Sequence, residues 1–145
     1  MSSVLIIDDE LEVSHALRRV LERAGHAVTT SLSGAEGLAA FEAAPTDLVI
    51  TDIIMPRMHG VAVIKAIRAL RPETRIIAIS GGGNFGPLEY QPEAITTSAY
   101  LAVATQTGAD AVLTKPFDKA DLLTTVQRLL ATDSLQALRP MGEPE

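Results

Sequence analysis

Five side chains of types that handle phosphoryl groups each sit just past a short apolar run. Asp8 and Asp9 close Val4-Leu-Ile-Ile7, and Asp52 follows Asp47-Leu-Val-Ile-Thr51. Ser80 ends Ile76-Ile-Ala-Ile79, and Lys115 follows Ala111-Val-Leu-Thr114. If those runs are parallel strands, all five meet at one carboxyl edge of one sheet. Three carboxylates held together disfavour their own charged forms, and a hard cation relieves the repulsion. Mg2+ suits such a place, because it takes one or two carboxylates and keeps several waters. The backbone carbonyl of Ile54 offers a further oxygen. A carboxylate beside such an ion can attack phosphorus and form an acyl phosphate, with the metal neutralising charge on the moving group. Lys115 would add a second positive charge there, and Ser80 a hydrogen bond to a phosphoryl oxygen.

Each residue alone has an ordinary reading. Asp8 or Asp9 can cap a helix, Asp52 can be a loop acid, and Ser80 and Lys115 can be solvated polar residues. The conjunction carries the argument, since every member stands at the same end of its strand.

The elements that must position them are legible as periodicities. Continuous apolar runs at 4–7, 48–50, 76–79 and 111–113 fit strands buried on both faces, while the more polar Ala27-Val-Thr-Thr-Ser-Leu32 fits an edge strand. Between them lie helical patterns. Val13, Ala16, Leu17, Val20, Leu21 and Ala24 form one apolar face, and Gly25 stops it. Ser33 and Glu36 form a capping box for a second helix through about Ala43. A third is expected from Gly60 to Leu70, a fourth over Glu93 to Thr107, and a fifth from near Asp118, burying Leu122, Leu123, Val126, Leu129 and Leu130. Five βα repeats predict a parallel sheet covered on both faces.

The chain has 145 residues, 47% of them hydrophobic, a formal charge of −6 and no Cys. That suits one domain with a real core, gives no charge footprint for nucleic acid, and excludes disulfides and thiol chemistry. The N-terminus lacks a basic signal-peptide region. The uncharged stretch from Ala94 to Ala109 is shorter than a membrane span. The expectation is a cytoplasmic protein without membrane or nucleic-acid contact, folded over residues 1–131, with 132–145 a flexible tail.

At this point the chain resembles the receiver domains of two-component response regulators. The matching text is Val4-Leu-Ile-Ile-Asp-Asp-Glu10, Asp47-Leu-Val-Ile-Thr-Asp-Ile-Ile-Met-Pro56 with Gly60, Ile76-Ile-Ala-Ile-Ser80, and Thr114-Lys-Pro-Phe117. It covers about Val4 to Ala131. The resemblance implies a flavodoxin-like, doubly wound α/β fold: a five-stranded parallel sheet of order 2-1-3-4-5 flanked by five helices. It implies that Asp52 accepts the phosphoryl group and that Asp9 and Asp52 contact Mg2+ directly, Asp8 through water. Ser80 would be the switch hydroxyl, and Lys115 would pair with the phosphoryl group. Gly81 after Ser80 leaves room for attack. The phosphodonor would be a histidine kinase or a histidine phosphotransfer protein, and the output an unnamed downstream protein, with the chain monomeric or a phosphorylation-dependent dimer. With no output domain following, a stand-alone receiver is expected, not an enzyme beyond its own Mg-dependent phosphorylation and dephosphorylation.

Three features depart from the family pattern. Where receivers often carry an aromatic residue, three before the lysine, this chain has Val112, so the usual ring rotation linked to Ser80 cannot occur in its common form. Tyr100 is a substitute at most. The interval from Ser80 to Lys115 is longer than the family norm, the surplus being Gly81-Gly-Gly-Asn-Phe-Gly-Pro-Leu-Glu-Tyr-Gln-Pro92. With Gly81, Gly82 and Gly83 beside the phosphoryl site, this loop is either a moving switch element or a tolerated insertion. It is not a P-loop, since no Gly-Lys-Ser/Thr follows. Finally, His59 stands where receivers commonly show Asp or Asn. His15 and His26 lie in no phosphohistidine context.

Two rival functions stand beside the switch. A phosphorylation-independent interaction module would retain the fold without the chemistry. A haloacid-dehalogenase-like phosphohydrolase would want its nucleophile on the first strand and a second acid two residues later, whereas Asp52 is followed at that spacing by Ile54.

Overall fold

The computed structural model describes residues 2–53, 60–80, 108–114 and 117–138. Its five strands are β1 (Ser3–Ile7), β2 (Ala27–Ser31), β3 (Leu48–Asp52), β4 (Arg75–Ser80) and β5 (Ala111–Thr114). All pair in parallel, in the order β2-β1-β3-β4-β5. The expected sheet and strand order are therefore observed. β2 is an edge strand, and its Ala27 and Thr29 are exposed as its polar composition requires.

Four helices are present among the described residues: α1 (Leu11–Arg23), α2 (Gly34–Ala43), α3 (Gly60–Leu70) and α4 (Lys119–Leu138). The expectation of five flanking helices is thus corrected to four. The expected fourth helix, over Glu93 to Thr107, lies outside the described residues, and the expected fifth, from near Asp118, is the observed α4. The expected tail, 132–145, overlaps the last turns of α4 and otherwise lies outside the described residues.

Strand alternation sends side chains to two buried layers. Leu5, Ile7, Val49, Ile53, Ile76 and Ala78 pack with Phe41 of α2 and Val63, Ile64 and Ile67 of α3. Val4, Ile6, Leu48, Ile50, Ile77 and Ile79 pack with Leu17 and Leu21 of α1 and Leu122 and Val126 of α4. Fully burying one such side chain contributes about 1.5–3 kcal/mol. Net stabilities are about 5–15 kcal/mol, so losing a few residues from either layer would unfold the domain.

Local signals set the helix ends. At the end of α1, His26 N–H donates to the Leu21 carbonyl at 3.1 Å and Gly25 N–H to that of Glu22 at 3.0 Å. This Schellman pair needs a left-handed residue, and Gly25 has φ 100°. Ser33 caps α2, its Oγ accepting from Glu36 N–H at 3.1 Å. The Glu36 carboxylate reaches back to Leu32 N–H at 3.2 Å, one residue earlier than in the standard box. At the amino edge of the sheet, Arg68 of α3 donates to the carbonyls of Gly108 (2.9 Å from Nε), Pro72 (2.6 Å) and Thr74, and pairs with Asp110 at 2.6 Å. Asp110 also accepts the Ile76 N–H at 2.8 Å. One side chain thereby ties the entry of β4 to the entry of β5. Among the described residues no helix is long and apolar enough to cross a membrane.

Candidate functional site

The strand registers bring the acids together. Ile7 pairs with Thr51, so Asp8 and Asp9 leave β1 level with the end of β3, where Asp52 stands. Asp52 pairs in turn with Ile79, and Ser80 with Thr114, which lines up the carboxyl ends of four strands. The carboxylates of Asp8, Asp9 and Asp52 each offer an oxygen within 4.8 Å of the others. Asp8 is 1% exposed and Asp52 4% exposed, while Asp9 is open to solvent.

Backbone geometry holds this cluster in place. Asp8 N–H donates to the Ser31 carbonyl at 3.1 Å, anchoring the turn to the end of β2. One Asp8 carboxylate oxygen accepts from Glu10 N–H at 2.8 Å. The N-cap of α1 is Glu10 and has no side-chain cap bond. Asp8 therefore orders the turn before the helix without capping it in the usual sense. On β3, Ile53 N–H donates to the Ile79 carbonyl and Gly60 N–H to the Ile53 carbonyl, each at 2.8 Å. The Thr51 hydroxyl donates to the Asp52 carbonyl at 3.0 Å.

Three clustered carboxylates, two of them buried, carry a desolvation and repulsion cost that a cation offsets. An all-oxygen donor set with one acid facing solvent fits a hard, partly hydrated divalent ion such as Mg2+. The residues present therefore fit the cation that the sequence implied.

Ser80 is the last residue of β4, one step beyond the partner of Asp52, so its backbone stands at the same edge. Val112 lies on β5 opposite Ala78 and is 38% exposed. Lys115, Ile54, Gly81, Gly82, Gly83, His59 and Tyr100 lie outside the described residues. Two contributors were not anticipated. Gly60 opens α3 against the backbone of Asp52 and Ile53, where a Cβ would collide; a poor helix former at a helix start was the available signal. Thr51 is fully buried, and its signal was a hydroxyl within an otherwise apolar run.

Comparison with known proteins agrees with this geometry. Residues 4–127 match the response regulator receiver domain family. The chain is 38% identical over 108 residues to the C4-dicarboxylate transport transcriptional regulatory protein DctD of Rhizobium meliloti (strain 1021), covering 74% of this chain and 23% of that protein. It is 28% identical over 135 residues to the response regulator receiver protein CpdR of Brucella abortus (strain 2308), covering 90% of this chain and 98% of that one. Among solved structures, a response regulator receiver domain protein from Clostridium thermocellum superposes with a TM-score of 0.75 at 28% identity, over 94% of this chain and 99% of the other. The chain spans 23%, 27% and 49% of the length of three longer curated relatives that it matches. With the matching motifs, the parallel sheet of that order and the acid cluster at its edge all in agreement, the chain belongs to the response regulator receiver domain family.

Proposed function

We propose that this receiver domain is a phosphorylation switch in which Asp52 accepts a phosphoryl group from a phosphohistidine. The donor is a histidine kinase or a histidine phosphotransfer protein. The observation that carries the reading is the cluster of Asp8, Asp9 and Asp52 at one sheet edge. In the transfer, an Asp52 carboxylate oxygen forms a bond to phosphorus as the bond from phosphorus to the imidazole nitrogen breaks. The leaving imidazole takes up a proton. Asp8, Asp9, Asp52 and the Ile54 carbonyl would hold Mg2+, which would supply charge neutralisation for the moving group.

The remaining roles belong to residues of the chain itself. Lys115 pairs with the transferred phosphoryl group, and Ser80 donates its hydroxyl to one of the new oxygens. That contact favours one conformer of the switch, and the population shifts accordingly. The output is a contact with a downstream protein in the cytoplasm.

Intact mass after incubation with Mg2+ and acetyl phosphate tests the reading. An added phosphoryl mass that requires Mg2+ and is lost in Asp52→Asn supports it. No adduct, together with no beryllofluoride binding in the presence of Mg2+, overturns it. The exposed Val112, in place of an aromatic ring, favours a second reading as a phosphorylation-independent interaction module. Under that reading Asp52→Asn leaves the regulated behaviour unchanged.

A further inference from the structure

We infer that Thr51 is a positioning residue for Asp52, acting through the peptide that follows the acceptor; the inference rests on the proposed role of Asp52. Thr51 is fully buried. Strand alternation turns it away from the carboxylate cluster, onto the face shared by Val49 and Ile53 beneath α3. It therefore cannot touch a phosphoryl group. Its hydroxyl instead donates to the carbonyl oxygen of Asp52 at 3.0 Å.

The last β1–β3 pair is Ile7 with Thr51, so the Asp52 peptide lies one residue past the end of that pairing. From the α3 side it is covered by Gly60, whose missing Cβ would fall on the same oxygen. The next peptide is fixed from both sides, because Ile53 N–H binds the Ile79 carbonyl and the Ile53 carbonyl accepts Gly60 N–H, each at 2.8 Å. The Thr51 hydroxyl completes this frame. It restricts rotation about the Asp52 Cα–C bond, and so restricts where the carboxylate points. Thr51 is β-branched, which holds the hydroxyl in few rotamers. Misplacing a reacting group by a fraction of an ångström lowers the rate without changing what binds.

The test compares Thr51→Val, which keeps the shape and removes the hydroxyl, with Thr51→Ser, which keeps the hydroxyl. Phosphorylation by acetyl phosphate is followed by intact mass, Mg2+ affinity by calorimetric titration and folding by thermal melting. Thr51→Val is expected to slow phosphorylation at saturating Mg2+ and donor about 5–10-fold, the loss of one hydrogen bond. Its half-saturating donor concentration should stay within about twofold of the parent, as should every parameter of Thr51→Ser, and Mg2+ is kept saturating because Asp52 also holds the ion. A Thr51→Val rate equal to the parent, or a Thr51→Ser rate as slow as Thr51→Val, overturns the inference. If Thr51→Val does not fold, Thr51→Ala against Thr51→Ser gives the same hydroxyl comparison, and equal rates overturn it. An unmodified parent chain would instead overturn the role of Asp52, so the two failures are distinct.

Discussion

Gly60 lies against the carbonyl oxygen of Asp52, so the first residue of α3 has no space for a Cβ. In an exposed helix, Gly→Ala is worth about 1 kcal/mol of added stability. Here overpacking against rigid backbone opposes it, at about 1–3 kcal/mol. Gly60→Ala is therefore expected to lower the melting temperature and slow phosphorylation, both measurable on one preparation. A variant more stable than the parent would show that α3 can move off the strand at no cost.

The acid cluster should make the metal-free protein less stable than its own mutant. Without a cation, Asp52→Asn relieves repulsion among three carboxylates within 4.8 Å of one another and should melt higher than the parent in EDTA. Excess Mg2+ should reverse the order. A ligand at a hundred times its Kd stabilises the native state by about 2.7 kcal/mol, and the mutant should gain much less. Differential scanning calorimetry with and without Mg2+ decides it. Equal Mg2+ shifts in both proteins would place the ion elsewhere.

Arg68 is the main clasp at the opposite edge. It and Asp110 are 21% and 23% exposed, so the pair is mostly shielded from water. Arg68→Ala leaves the Gly108 and Thr74 carbonyls and the Asp110 carboxylate short of donors. After discounting for the residual exposure, the expected cost is about 2–3 kcal/mol. Arg68→Lys should recover little, because an ammonium cannot span the same fork of acceptors. Urea unfolding should show a lower midpoint at unchanged slope, with Mg2+-dependent phosphorylation retained wherever the variant is folded.

His26 follows the α1 terminus, half-buried, with its Nδ1 unpartnered among the described residues. Burial lowers its pKa below the ordinary 6.5. Below pH 6.5 the unfolded chain binds a proton that the native state resists, so this contribution to stability is present above that pH and is lost as pH falls through it. His26→Gln should flatten the corresponding part of the stability–pH curve and leave the region above it unchanged. An identical slope in the mutant would assign the pH dependence to other groups.

The cap of α2 offers a smaller test. Ser33→Ala removes the acceptor for Glu36 N–H and should cost about 1 kcal/mol in chemical denaturation. Ser33→Gly should cost less, since backbone freedom at the cap is kept.

Residue order alone dictates the strands, because Val4–Ile7, Leu48–Ile50 and Ile76–Ile79 have no lower free-energy place than a sheet covered on both sides. It also determined the ends of α1 and α2, where Gly25 and Ser33 act on their immediate neighbours, and the identities of the three acids. Those signals are local, which makes them readable from order alone. Tertiary structure alone decided the rest. The meeting of Asp8 with Asp52 depends on the register of Ile7 against Thr51, which no local spacing encodes. The contact of Gly60 with the Asp52 carbonyl and the turn of the Thr51 hydroxyl toward it depend on how closely α3 settles on β3. These are distances between elements, set by the packing of the whole core.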